Sequence, residues 1–235
     1  CQNPASISPD NEWAFDPRKC HQCASCDGAA CLFGARFQVG EEMSVDTVMA
    51  DVLQDRDFFE RTGGGLTLSG GEPLAQPVFA VELLKAARSE GIHSCVETCG
   101  QVAFKILEKA AEQTDLFLYD LKESDPVRHK EYTGVDNRLI LENLAKLDGL
   151  GAKITLRCPI IPTLNDRPEH FAWISQIANG LANLQELHLM PFHPFADYKR
   201  EQIGRAYELE NIKVPNDRQK TEWRAALNVT CPVHV

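Results

Sequence analysis

The sequence predicts an α/β protein built as part of a parallel barrel, a partial (β/α)6 arrangement. Three observations carry that prediction. Short apolar strands alternate with amphipathic helices from residue 44 onward, a polar residue closes nearly every strand, and the stretch before residue 44 lacks either period but holds four closely spaced cysteines. Alternating strands and helices imply parallel pairing with right-handed crossovers. In a parallel barrel all the C-terminal strand ends open on one face, where barrel enzymes build their sites.

The elements follow in order. Residues 1–43 are rich in Cys, Pro, Asn and Asp, so something other than a hydrophobic core must hold them. Val45, Val48, Met49, Val52 and Leu53 then fall at helical spacing, with Ser44 as N-cap and Asp46 in the first turn, and the helix should end near Arg61. Leu66 to Leu68 reads as a buried strand between the glycines 63–65 and the run Ser69-Gly70-Gly71-Glu72-Pro73. Glycines just past a strand end let the backbone approach a ligand closely. A helix over 77–90 stops at Gly91, a strand covers His93 to Thr98, and 102–112 is helical. Strands at Leu116 to Asp120, Lys153 to Arg157 and Glu186 to Met190 alternate with helices over 137–149 and 167–182, and a last helix at 217–227 follows a loop of some twenty residues.

A chain of 235 residues can bury a sizeable core, roughly 70–75% of its unfolded surface. The formal net charge of −10, with no cluster of Lys and Arg, argues against a nucleic-acid partner. No run of 18 apolar residues and no charged-then-apolar leader predicts a membrane span or a signal peptide, so the expectation is a cytoplasmic protein. Nine cysteines, an odd number, do not suggest a complete disulfide framework. Cys20-x2-Cys23-x2-Cys26-x4-Cys31 is close to the run that ligates iron-sulfur clusters, although the last gap is one residue longer and Leu32 stands where a Pro usually follows. Tetrahedral zinc and inert thiols are the alternatives. Cys95, Cys99, Cys158 and Cys231 read as small buried hydrophobes.

The polar strand ends are Glu72, Glu97, Asp120 with Lys122, Arg157 and His193. Each alone could cap a helix or pair locally, and one shared site accounts for all of them together. Cys1-Gln2-Asn3-Pro4, the stretch from Gly63 to Pro73, Asp120-Leu121-Lys122, Arg157 to Pro162 and Leu189 to His193 jointly resemble the activating enzymes of glycyl radical enzymes. These are the pyruvate formate-lyase activating type within the radical S-adenosylmethionine superfamily. The resemblance implies a radical SAM barrel that reductively cleaves S-adenosylmethionine and uses the 5′-deoxyadenosyl radical to take hydrogen from a backbone glycine of a partner glycyl radical enzyme. It implies that Cys1 ligates a SAM-chelating [4Fe-4S] cluster and that Gln2 lies beside it. Gly70, Gly71 and Glu72 are implied to line the methionine amine, Asp120, Leu121 and Lys122 to hold polar groups of the cofactor, Arg157 its ribose or carboxylate, and His193 its adenosyl end. Cys1, Lys122 and His193 are the implied catalytic set.

The chain begins at the third cysteine of the family's Cys-x3-Cys-x2-Cys motif, so it reads as a fragment lacking the first strand and unable, as given, to complete that cluster. The resulting divisions are 1–15, the end of the cluster loop; 16–43, a Cys-rich ferredoxin-like insert; and 44–235, the remaining barrel. Related inserts commonly carry two cysteine quartets, and the single one here implies one auxiliary [4Fe-4S] cluster at Cys20, Cys23, Cys26 and Cys31. The implied reductant is a flavodoxin- or ferredoxin-type protein, and the loop from Pro194 to Pro215 is a candidate surface for the glycine loop. Another radical SAM enzyme acting on a small molecule and a non-catalytic iron-sulfur electron carrier are the rival readings.

Overall fold

The computed structural model describes residues 40–196, 209 and 211–235. They divide between two compact units. One unit spans Ser44–Phe192 and Ile212–Val235, and the other contributes residues 40–43, 193–196, 209 and 211. Cys1, Gln2, Cys20, Cys23, Cys26 and Cys31 lie outside the described residues, as does most of the loop from Pro194 to Pro215.

The larger unit is an open sheet of six parallel strands in sequential order, barrel-like but not closed. They are β1 (Gly65–Leu68), β2 (His93–Thr98), β3 (Leu116–Asp120), β4 (Ile154–Ile160), β5 (Leu184–Pro191) and β6 (Val233–His234). The helices are α1 (Val45–Val52), α2 (Arg56–Thr62), α3 (Pro77–Ser89), α4 (Phe104–Ala111), α5 (Pro126–Thr133), α6 (Arg138–Gly149), α7 (Pro168–Gly180) and α8 (Asp217–Ala225). Because side chains alternate along a strand, each strand sends one set toward the helices and the other to the opposite face. Val96, Phe117, Tyr119, Ile154, Leu156, Cys158, Leu187 and Leu189 meet Leu84, Leu107, Leu144 and Ile174 in the main core. The registers Glu97↔Leu118, Asp120↔Arg157 and Arg157↔His188 line up the polar set on the other face.

Several elements differ from the sequence reading. The single helix expected over 45–61 is interrupted by a 3₁₀ turn at Leu53–Asp55. The break lets Phe59 join the small core around Met49, Leu83 and Ile92 while Arg56 reaches Glu90 at 2.5 Å. Helix α5 was not expected because it buries only His129, so no apolar period marks it. Its signals are local: Asp125 caps it by accepting from Val127 N and Arg128 N, Pro126 opens it, and Gly134 closes it. Strand β6 is two residues long and leaves no readable pattern.

Strand β4 runs on through Pro159 to Ile160, although it lies between two neighbours. β3 ends at Asp120, opposite Arg157, and the Arg157 carbonyl accepts the Leu121 amide at 2.8 Å. Two residues later the Pro159 nitrogen faces the same side, beyond the end of β3, so the missing N–H leaves no gap in the ladder.

Candidate active site

Four charged side chains alternate in sign across the strand ends. Arg157 on β4 binds Glu97 on β2 at 2.7 Å and lies 3.9 Å from Asp120 on β3, which holds Lys122 at 2.7 Å. Ser69, just past β1, donates to the same Glu97 oxygen at 3.1 Å, and the Met190 sulfur on β5 accepts from Arg157 Nε at 3.2 Å. Five successive strand ends therefore contribute to one polar strip, which remains partly open to solvent.

The loop after β1 turns at Gly70 with φ 134°, a conformation open essentially to glycine. A Cβ at Gly70 or Gly71 would meet no atom of the described residues within 4 Å, so none of them fills the space beside this backbone. Glu72 is engaged by the exits of the first two strands. Its carboxylate accepts from Thr98 Oγ1 at 2.8 and 2.9 Å, from Cys99 N at 3.2 Å and from Leu74 N at 3.2 Å, joining the exits of β1 and β2. Gly100 follows with φ 71°, and a Cβ there would lie 1.8 Å from Tyr119 Oη.

The Asp120-Leu121-Lys122 exit is clamped from behind. Asn165 Nδ2 donates to the carbonyls of Lys122 and Pro159, both at 2.8 Å, and its Oδ1 accepts from Ile161 N at 2.7 Å, so one buried side chain ties the exits of β3 and β4. Glu123 is buried against Arg167 at 2.8 Å and also accepts from Ser124 Oγ and Asp125 N. Burial alone would raise the Glu123 carboxyl, but the Arg167 guanidinium and these donors outweigh it and hold the group below the usual carboxylate range. His170, fully buried beside this pair, is pushed down to about 4 by desolvation. It is therefore neutral, accepts from Ser124 N at Nδ1 and stacks on Trp173.

The structure thus brings Gly70, Gly71, Asp120, Lys122 and Arg157 to one end of the sheet. The Leu121 side chain enters the hydrophobic core, and at the strand end its backbone N–H donates to the Arg157 carbonyl. His193 stands two residues past the end of β5 but belongs to the other unit, where it is exposed with its ring 4.7 Å from that of Phe195. Two cysteine expectations need correcting. Cys158 is in the core and Cys231 packs against it, but Cys95 shares the polar face with Glu97, and Cys99 places its sulfur 3.5 Å from a Glu72 oxygen. Burial, with Glu72 nearby, pushes the Cys99 thiol up. Sequence reasoning missed Ser69, Glu123, Asn165 and Arg167. Ser69 and Glu123 adjoin marked residues, and a polar side chain next to a strand-end motif was the available signal for them; Asn165 and Arg167 stand three and five positions beyond the Arg157–Pro162 stretch and carried no such signal.

Residues 17–174 match the model of the Radical SAM superfamily. The chain belongs to that superfamily. Among known proteins it is 39% identical over 246 residues to the (2S)-3-sulfopropanediol sulfolyase activating enzyme of Bilophila wadsworthia, a match that covers 91% of this chain and 81% of that one. It is 35% identical to the trans-4-hydroxy-L-proline dehydratase activating enzyme of Clostridioides difficile, over 94% and 83% of the two chains. Within the radical SAM superfamily, the chain falls among the glycyl radical enzyme activating enzymes. A crystal structure of a domain of pyruvate-formate lyase-activating enzyme from Bacteroides vulgatus shares the fold, with a TM-score of 0.61 and 23% identity over 73% of this chain and 99% of that domain. A radical SAM protein uses a [4Fe-4S] cluster and S-adenosylmethionine. No helix among the described residues is long and apolar enough to cross a membrane.

Proposed function

We propose that this chain binds S-adenosylmethionine along the strip Glu97–Arg157–Asp120–Lys122 and activates a partner glycyl radical enzyme by removing a hydrogen atom from its backbone glycine. The observation that carries the reading is the alternation of charge across five strand ends beside the open backbone of Gly70 and Gly71. The donor set fits the cofactor. A zwitterionic methionine end and a ribose diol need carboxylates, cations and bare backbone at close range. With the reduced cluster, S-adenosylmethionine supplies the radical that abstracts hydrogen.

The protein's own residues orient and shield. Asp120 and Lys122 hold polar groups of the ligand, Arg157 takes its ribose or carboxylate, and Gly70 and Gly71 admit its backbone-facing edge. Glu72, engaged by Thr98 and Cys99, serves the methionine amine through the loop whose shape it fixes. Cys1 is the cluster ligand with Gln2 beside it, His193 serves the adenosyl end, and residues 1–15, 16–43 and 44–235 divide the chain into cluster loop, insert and barrel. Cys20, Cys23, Cys26 and Cys31 hold one auxiliary [4Fe-4S] cluster fed by a flavodoxin- or ferredoxin-type reductant in the cytoplasm.

Anaerobic iron and sulfide analysis with electron paramagnetic resonance of the reduced protein tests the auxiliary cluster. About four irons, lost when Cys20, Cys23, Cys26 and Cys31 become alanine, is the expected result. Zinc in place of iron, or no metal in either chain, refutes the cluster. For the strip, Arg157→Met in an enzyme carrying all three motif cysteines should raise the KM for S-adenosylmethionine about tenfold or more, the loss of one charge-assisted contact. An unchanged KM overturns the assignment.

A further inference from the structure

Beyond the cofactor strip, at the β5–β6 edge, Glu186, His188 and His234 bring three ligand atoms within 4.8 Å of one another. We propose that they form a binding site for a divalent transition-metal ion, with a ligand set that includes no cysteine. Glu186 and His188 are two residues apart on β5 and so share a face, and His234 is the register partner of His188 on β6. The sheet itself therefore sets the spacing of the three side chains.

The nitrogens converge on one atom. His188 Nε2 lies 2.8 Å and His234 Nε2 3.6 Å from the same Glu186 oxygen, and the two rings stand edge to face with centroids 5.1 Å apart. Around an ion bound at about 2.1 Å in tetrahedral geometry, ligand atoms sit roughly 3.4 Å apart. Small side-chain rotations reach that spacing. A lone Glu–His ion pair would account for His188 but not for a second imidazole aimed at the same oxygen.

Two imidazoles and one carboxylate suit Zn²⁺, Fe²⁺, Co²⁺ or Ni²⁺ rather than Mg²⁺ or Ca²⁺, and three protein ligands leave a position for water or substrate. The neighbouring charges permit a cation. Arg157, the register partner of His188 on β4, is engaged by Glu97 and Asp120, while Thr155 stands beside Glu186. Cys231, on the approach to β6, packs against the core and supplies no sulfur to this face. All three ligands are partly exposed, so an ion can enter from solvent.

Zinc serves as the probe. Since the cysteines also bind zinc, the test compares the whole chain with His188→Ala/His234→Ala, in which every thiol is retained. Titration calorimetry should show one zinc equivalent fewer in the double variant, and Glu186→Gln, which keeps the shape, should weaken that equivalent about tenfold or more. Crystals grown with stoichiometric zinc should give an anomalous peak among the three side chains. Equal stoichiometry in parent and double variant overturns the proposal, as does the absence of a peak at this position. A peak in crystals without the missing equivalent in solution means an adventitious ion only and also overturns it. Matching far-UV circular dichroism of the variants separates loss of ligands from loss of fold.

Discussion

Replacing Glu123 by glutamine leaves the shape of the side chain and removes the charge that holds the loop after β3. The carboxylate is 1% exposed and accepts from Arg167 at 2.8 and 3.2 Å, from Ser124 Oγ at 3.0 Å and from Asp125 N at 2.9 Å. Breaking a buried ion pair by neutralising one partner costs about 3–5 kcal/mol when the other charge is stranded. Arg167 is 23% exposed and keeps the Leu164 carbonyl, so part of its charge is recovered by water and backbone. The expected loss is therefore about 2–3 kcal/mol. Urea unfolding followed by the fluorescence of Trp173, which stacks on His170 beside the pair, reads it. Adding Arg167→Met to Glu123→Gln should cost less than the two single losses together, because no charge is then stranded. Hydrogen exchange at the Ser124 and Asp125 amides should quicken in the single variant. A loss below about 0.5 kcal/mol with unchanged exchange would refute the clamp, since surface substitutions reach that size without it.

Gly71→Ala should leave stability within about 0.5 kcal/mol, since its Cβ meets no atom among the described residues, yet it should weaken S-adenosylmethionine binding in the enzyme with all three motif cysteines; unchanged binding would show that the loop does not touch the cofactor. Acid should destabilise the chain through His170. Its folded value near 4 lies below the unfolded value, so the unfolded chain takes up a proton first and stability falls as pH drops from about 6.5 toward 4, by on the order of 2–3 kcal/mol. In His170→Leu that part of the pH slope should be absent from urea-unfolding curves. Tyr119→Phe removes the buried hydrogen bond that the Tyr119 hydroxyl donates to the Ile140 carbonyl at 2.6 Å, while that carbonyl stays within helix α6, and should cost about 0.5–1.5 kcal/mol by the same assay.

Much of the architecture was legible because burial on one face leaves a period in the sequence. Leu66, Val96, Phe117, Leu156 and Leu187 alternate with residues that need not be apolar, and the helices between them carry their stripe every three to four residues. Five of the six strands and most helices could be read that way. Helix α5 and strand β6 could not, since the first buries one residue and the second is too short to repeat. The residues of the strip were legible as polar punctuation at strand ends.

The sequence by itself determined the α/β order, the family and the polar type of residue at each strand end, because local period and local motif are contained in consecutive residues. Only the tertiary structure decided which of these residues meet. Arg157 pairs more closely with Glu97, two strands away, than with its register partner Asp120, Glu72 turns to Thr98 and Cys99, and Asn165 joins two exits across 43 positions of chain. Sheet register and loop closure fix those distances, and neither leaves a repeating signal in the residues it joins.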